Sequence, residues 1–287
     1  MKKIVMIAAA FMAASGSAAA QELYVNTEPA SNMPANSLGI RLTIKFFNMR
    51  HSGGNGMRFE PEIMWGANKK LMLHVIGYAP DMMQPSIRVE GGGFYAKYRF
   101  LSTDGQHTHF RMSAYVRGAV IDNPYYPVIP DGAHMLRPYN NRELDLEGTS
   151  SGVSGGIIAT KLLHKLALST TLGYSRYMNN MKDNIPEDFS RNSVNYSFSA
   201  GLLVLPVKYK SFEQTNVNVF MELLGKTNTG GPGNGSYIDV APALQFIFNS
   251  TTRLDLSYRT PLAGNMPRNT FNSLLIRVEH NIFNIKK

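Results

Sequence analysis

Ten basic side chains recur at alternate positions of otherwise mixed segments: Arg41, Lys45, Arg58, Lys97, Arg99, Arg111, Arg117, Arg253, Arg259 and Arg277. Six carboxylates, Glu60, Glu62, Glu222, Asp239, Asp255 and Glu279, hold the same kind of position. In a chain of period two, alternate residues share one face, so these groups are expected to meet on a single surface with a cationic surplus. Such a surface can favour anionic or zwitterionic solutes, or it can be an internal ion-pair network that fills space. The spacing alone leaves both open.

Other chemistries find less support. A nucleophile and its base on one strand face need, for example, a histidine and a serine two residues apart. None of His51, His74, His107, His109, His134, His164 and His280 has a serine at that distance, and His51 and Ser52 are adjacent, pointing oppositely on a strand. A lipid-cleaving enzyme is therefore disfavoured. Met49, His51, Met82, Met83, His134 and Met135, with Met178, Met181 and Met266 nearby in kind, form a soft set suited to copper, but their spacing is no metal motif and gap-filling methionine is the plainer account. There is no cysteine, which excludes disulfide scaffolds and thiolate metal centres. No phosphate-cradling glycine motif stands on a strand-to-helix turn, and nothing calls for a cofactor. The basic excess, 29 Lys and Arg against 20 Asp and Glu, is distributed by strand face and does not mark a nucleic-acid surface.

The elements that must position the charges are strands. Residues 38–46 alternate Leu38, Ile40, Leu42, Ile44 and Phe46 with Gly39, Arg41, Thr43 and Lys45. The same alternation recurs at 57–65, 71–79, 92–101, 109–120, 166–174 and 193–205, and around 217–223, 238–248, 253–259 and 273–282, with a weaker example at 151–160. That makes about twelve segments of roughly 9–12 residues, the length a tilted membrane-crossing strand needs. After residue 20 no stretch approaches the ~20 apolar residues of a spanning helix. Pro61 and Pro242 interrupt two segments and are expected at a bulge or a strand end.

Residues 1–20 read as a secretory signal peptide: Lys2 and Lys3, a short apolar core, then Ala18, Ala19 and Ala20 before Gln21. Residues 21–36 are polar, carry Pro29 and Pro34 and show no period, so they read as a periplasmic N-terminal tail. Residues 37–287 form the barrel. Connections at 66–70, 102–108, 162–165, 206–213 and 249–252 are short, and those between them are mostly longer and richer in Gly, Pro and Asn.

With the signal peptide, the strand repeat over 38–283 and the closing segment Ser273-Leu274-Leu275-Ile276-Arg277-Val278-Glu279-His280-Asn281-Ile282-Phe283, the chain resembles porin-like or transporter-like outer-membrane β-barrels of Gram-negative bacteria. The resemblance is architectural and names no particular member. It implies a twelve-stranded antiparallel up-and-down barrel in the outer membrane, in contact with its lipid, passing small solutes, with room for assembly as a homo-oligomer. The alternative is a closed barrel that binds a ligand, copper or a partner through its loops. Apolar faces toward lipid send the charges into the lumen, one wall charged and the wall of 151–205 small and neutral. The longest connection, 121–148, is net acidic, with Asp122, Asp131, Glu143, Asp145 and Glu147 against Arg137 and Arg142. Opposite charges attract strongly in a low-dielectric tube, so part of this loop is expected to fold inward toward Arg41, Arg111 and Arg117 and constrict it. A mobile external loop is the competing expectation.

Overall fold

The structure is a computed structural model that describes residues 24–285, apart from 50–54, 81–86, 106–107, 123–128, 132–133, 137–140, 208–210, 212, 232–233 and 269. Its strands are β1 (Ser37–Met49), β2 (Asn55–Gly66), β3 (Leu71–Pro80), β4 (Gly91–Asp104), β5 (Thr108–Ile121), β6 (Ile129–Asp131), β7 (His134–Leu136), β8 (Ser151–Leu163), β9 (Leu166–Met178), β10 (Asn192–Leu205), β11 (Asn216–Asn228), β12 (Ser236–Phe248), β13 (Thr252–Gly264) and β14 (Thr270–Ile282). All but β6 and β7 close into one antiparallel barrel in which sequence neighbours pair and β14 returns to β1. The short β6–β7 hairpin lies within the connection from β5 to β8, a detail the polar, proline-bearing sequence there does not signal.

Period two decides the two faces. Val75 and Leu172 on the outside are 66% and 62% exposed, whereas Lys97 and Glu222 on the inside are 0% exposed. Ile40, Leu42, Ile63, Phe94, Phe198, Leu244 and Val278 continue the exposed apolar set around the circumference. An apolar surface of this extent on a closed sheet is what lipid can cover and water cannot. Closure also pairs every strand on both sides, so no backbone edge is left in the barrel wall.

Register turns the sequence alternation into rows of charge around the lumen. Arg41 stands directly opposite Glu62 on β2 and Glu279 on β14, and Glu279 opposite Arg253 on β13. The row therefore alternates in sign across four strands and includes the seam where the chain closes on itself. One step toward the long loops, Arg277 stands opposite Thr43 and Asp255, and Asp255 opposite Gln245. Cross-strand pairs of this kind are the unit of sheet stabilisation, and a slip of one residue would turn each of them out toward lipid.

Both prolines depart from expectation. Pro61 pairs with Leu42 on one side, while on the other the ladder to β3 is interrupted between Phe59↔Ala79 and Glu62↔Ile76 with no change of register. Pro242 pairs with Met221, and its ladder to β13 breaks between Val240↔Thr260 and Ala243↔Ser257, again in register. Neither sits at a bulge or a strand end. A residue directs its single N–H toward one neighbour only, so a proline inside a strand can lose the ladder on that side and keep the other. Gly77 lies across from Pro61, where an added Cβ would come within 3.2 Å of the ring.

Adjacent residues on β9 test the assignment of faces. Leu172→Arg places a charge on the outer belt and should destabilise the barrel by about 2–4 kcal/mol, whereas Thr171→Arg, pointing inward, should be tolerated. Denaturant unfolding in lipid vesicles measures both, and equal effects would contradict the assignment.

Candidate functional site

The lumen holds a chamber of about 370 Å³ that is bounded by the wall and by two segments that are not part of it. The first is the N-terminal segment. Its irregular backbone has to find hydrogen-bond partners inside the barrel, and the inward side chains supply them. The Val25 and Asn26 amides both donate to Glu222 Oε1 at 2.9 Å, and Thr27 Oγ1 donates to Glu222 Oε2. Arg277 donates to the Val25 carbonyl at 2.6 Å. Farther along, Lys97 Nζ donates to the Pro29 and Ser31 carbonyls, Ser113 to the Ala30 carbonyl, and the Ala30 amide to Thr160. The segment thus crosses from β4, β5 and β8 to β11 and β14. Tyr24 and Val25 anchor its far end in a buried apolar cluster with Phe220 and Leu275.

Glu28, from this segment, reaches Arg41 at 3.1 Å and Lys97 at 3.4 Å. Burial alone would raise its carboxyl, but Lys97, Arg41 and His74 outweigh that and hold it well below the usual carboxylate range. Arg41 is then shared among Glu28, Glu62 at 3.0 Å and Glu279 at 2.7 Å. Arg253 joins Glu279 at 2.8 Å and Asp255 at 3.1 Å. Arg111 donates to Ser31 and Asp104, and Arg99 to the Lys69 carbonyl in the β2–β3 turn, so neither faces the chamber.

The second segment is the part of the long connection just before β8. Residues 143–147 read Glu-Leu-Asp-Leu-Glu, and the alternation sorts them. Leu144 and Leu146 are buried in an apolar cap with Tyr78, Ile121, Tyr177 and Ile185, Leu146 at its edge on the chamber, while Glu143, Asp145 and Glu147 line the chamber with their carboxylates. Glu147 meets Lys45 at 2.6 Å, Arg117 at 3.2 Å and Arg58 at 3.3 Å. Asp145 lies 3.9 Å from Arg58. Glu143 accepts from Tyr237 at 2.5 Å and lies 3.8 Å from Lys226, whose Nζ donates to the Leu144 carbonyl at 2.6 Å. Glu60 completes the cluster, 3.0 Å from Lys45 and 2.6 Å from Arg58. A further group joins Asp239 with Arg259 and Arg268, each at 2.7 Å.

Opposite this charged wall, β8 to β10 present Ser154, Thr171, Ser175, Asn195 and Ser197 to the chamber. Between the walls lies an aromatic shelf: His74 sits 4.9 Å from the Tyr95 ring, which stacks on Tyr115 at 5.7 Å. Tyr115 lies flat against the neutral wall because Gly156 and Gly173 leave it room; a Cβ at either would approach the ring or its hydroxyl within 2.8 Å or 2.2 Å.

Of the acidic loop residues singled out in the sequence, Glu143, Asp145 and Glu147 converge on the lumen, whereas Asp122 pairs with Lys182 away from it. Asp131 contributes backbone to β6, and its side chain is outside the described set. Among the methionine and histidine residues, His51, Met82 and Met83 lie outside the described residues, as do the side chains of Met49, His134 and Met135. The residues that sequence reasoning did not assign to the lumen are Glu28, Lys226, Tyr237 and Arg268. Lys226 continues the alternation of Glu222 and Leu224 beyond the expected strand end, and Tyr237 sits two before Asp239, so both were within reach of the period; Glu28 and Arg268 lie in segments without one.

No family model matches the chain, and no curated protein matches it in sequence. Its fold is found among solved structures. An outer membrane channel from Pseudomonas putida F1 superposes with a TM-score of 0.56 at 12% identity, over 90% of this chain and 100% of that one. The NanC porin aligns with a TM-score of 0.46 at 8% identity, over 85% and 98% of the two chains, and the KdgM porin with 0.43 at 8%, over 84% and 98%. The first of these likenesses establishes a shared barrel fold.

The charge on Glu147 gives the loop a defined pH dependence. Lys45 is the largest influence on its carboxyl; burial opposes, Arg117 and Arg58 add to Lys45, and the group is held well below its ordinary 4.5. A carboxyl depressed in the docked state stabilises docking fully above its ordinary value, and that stabilisation declines as pH falls below the ordinary value and is gone once pH passes the depressed one. Amide exchange of residues 144–148, corrected for intrinsic rates, should therefore show constant protection from pH 8 to pH 5. Protection that falls steadily across that interval would contradict the pairing.

Proposed function

We propose that the chain is an outer-membrane channel for small solutes, with a preference for anions that its inward-folded segments hold in check. The observation that carries this reading is the origin of the charges around the chamber. The strands contribute seven lining cations, Arg41, Lys45, Arg58, Arg117, Lys226, Arg259 and Arg277, against three lining carboxylates, Glu60, Glu62 and Asp239. The tail and the long loop contribute four more carboxylates, Glu28, Glu143, Asp145 and Glu147, and the connection from β13 to β14 adds one lining cation, Arg268. The surplus of the wall is thus answered by parts of the chain that are not the wall.

Several features support placement in the outer membrane: the apolar outer belt, the signal-peptide pattern of residues 1–20, and the fold shared with an outer membrane channel. The neutral wall of β8 to β10 offers hydroxyl and amide groups to the uncharged part of an anionic solute.

A closed barrel that holds a ligand is the second reading, and the hydrogen bonds that carry the N-terminal segment across the lumen favour it. Planar-bilayer recording separates the two. On the channel reading, purified protein conducts, and deleting residues 130–145 raises the conductance and moves the reversal potential in a salt gradient toward that of the anion. Unchanged conductance and selectivity in a deletion that still folds would show that the loop does not limit the passage, and no current from either protein would favour the closed barrel.

A further inference from the structure

Glu147 is held as a ligand would be held. Its Oε2 receives Lys45 and Arg58, and its Oε1 receives Arg117, so both oxygens of one planar carboxylate are engaged by three cations from β1, β2 and β5. The cations are set rigidly: Arg58 is fixed by Glu60 and Arg117 by the Tyr78 hydroxyl at 2.9 Å. The carboxylate is the most accessible member of the group. The Glu147 side chain is 37% exposed, against 4% for Arg58 and 14% for Lys45, and it lines the chamber. Three preorganised donors around an accessible anion are a receptor occupied from within.

We infer that Lys45, Arg58 and Arg117 form a carboxylate-binding site for solute, and that Glu147 is an internal surrogate which an incoming carboxylate displaces. The inference deepens the channel reading by naming its recognition site and solute class, and it rests on that reading only for passage of the solute after it has bound. The class is a small hydroxylated acid. The site that holds a carboxylate through both oxygens fits that group, and Ser154, Thr171, Asn195 and Ser197 on the opposite side of the chamber suit hydroxyls. Displacement adds one carboxylate to the lumen, so Glu147 has to turn into the open chamber, which its partly exposed side chain already lines, as the solute takes its cations. Withdrawal of Glu147 would also free the loop on the side of the passage where it is held by ions, leaving the buried Leu144 and Leu146 as its anchor.

Calorimetric titration of detergent-purified protein with gluconate, and with glucose as the neutral control, tests the site without requiring conduction. Glu147→Gln removes the competing charge and should tighten gluconate binding by about tenfold or more, while Glu147→Asp, which keeps the charge, should bind as weakly as the unaltered protein. Adding Arg117→Gln to Glu147→Gln should loosen gluconate again by a similar factor, and glucose should not bind any variant measurably. Heat-dependent gel migration verifies that each variant is folded. Equal gluconate affinity in all of them, no gluconate binding by Glu147→Gln, or glucose binding as tightly as gluconate would each overturn the inference. A site that behaves as expected in a protein that carries no current would leave the site standing and remove the channel.

Discussion

A closed barrel in lipid has one free choice for a charged side chain, which is to point inward. Half the residues of every strand must face the lumen, and there a charge is removed from bulk water and is costly unless matched. Much of the interior is a response to that constraint. The row Glu62, Arg41, Glu279 and Arg253 solves it within the wall, by alternating sign across β2, β1, β14 and β13. Lys45, Arg58 and Arg117 are not solved within the wall, since among the described residues Glu60 is the one strand carboxylate paired with any of them. The loop supplies the rest through Asp145 and Glu147. Glu147 and Asp145 are partly exposed, so each of their ion pairs is weaker than a fully buried one, and it is the three pairs of Glu147 together with the buried Leu144 and Leu146 that keep the segment folded inward.

The N-terminal segment meets the same constraint in a different way. Among the described residues it brings one charge, Glu28, and for the rest uses backbone amides and carbonyls as partners for Lys97, Arg277 and Glu222. Glu222 shows how far this goes: its carboxylate is fully buried and accepts two backbone amides, the Thr27 hydroxyl and the Asn26 side chain. Polar chain crosses the lumen from β4, β5 and β8 to β10, β11 and β14, and the chamber that remains lies between the charged wall and the neutral one.

The barrel is legible in the sequence because strand period is a local signal: Leu38 to Phe46 alternate, and so do the residues around Val278. The direction of each charge comes from the same signal. Partners that depend on distant chain do not. Val25 and Glu222 are separated by 197 positions, and nothing in a polar segment with two prolines says that it turns into the lumen. The loop is legible through its net charge, while the finer sorting of Leu144 and Leu146 to the apolar cap needs the fold, since a five-residue alternation is too short to read as an element. Pro61 and Pro242 escape the expectation of a bulge or strand end for a local reason: the rule against proline in a paired strand concerns the ladder on one side, and here that side is interrupted without shifting register.

The central claim is that the wall's charges are matched by chain folded inside the lumen, and covalent trapping tests it directly. The protein has no cysteine, so an introduced pair reports without background. Thr27 Oγ1 and Ser199 Oγ lie 3.0 Å apart, on the N-terminal segment and on β10. Thr27→Cys with Ser199→Cys should form a disulfide almost completely when the folded protein is oxidised in intact membranes. A folded, oxidised double variant with both thiols still free would contradict the account.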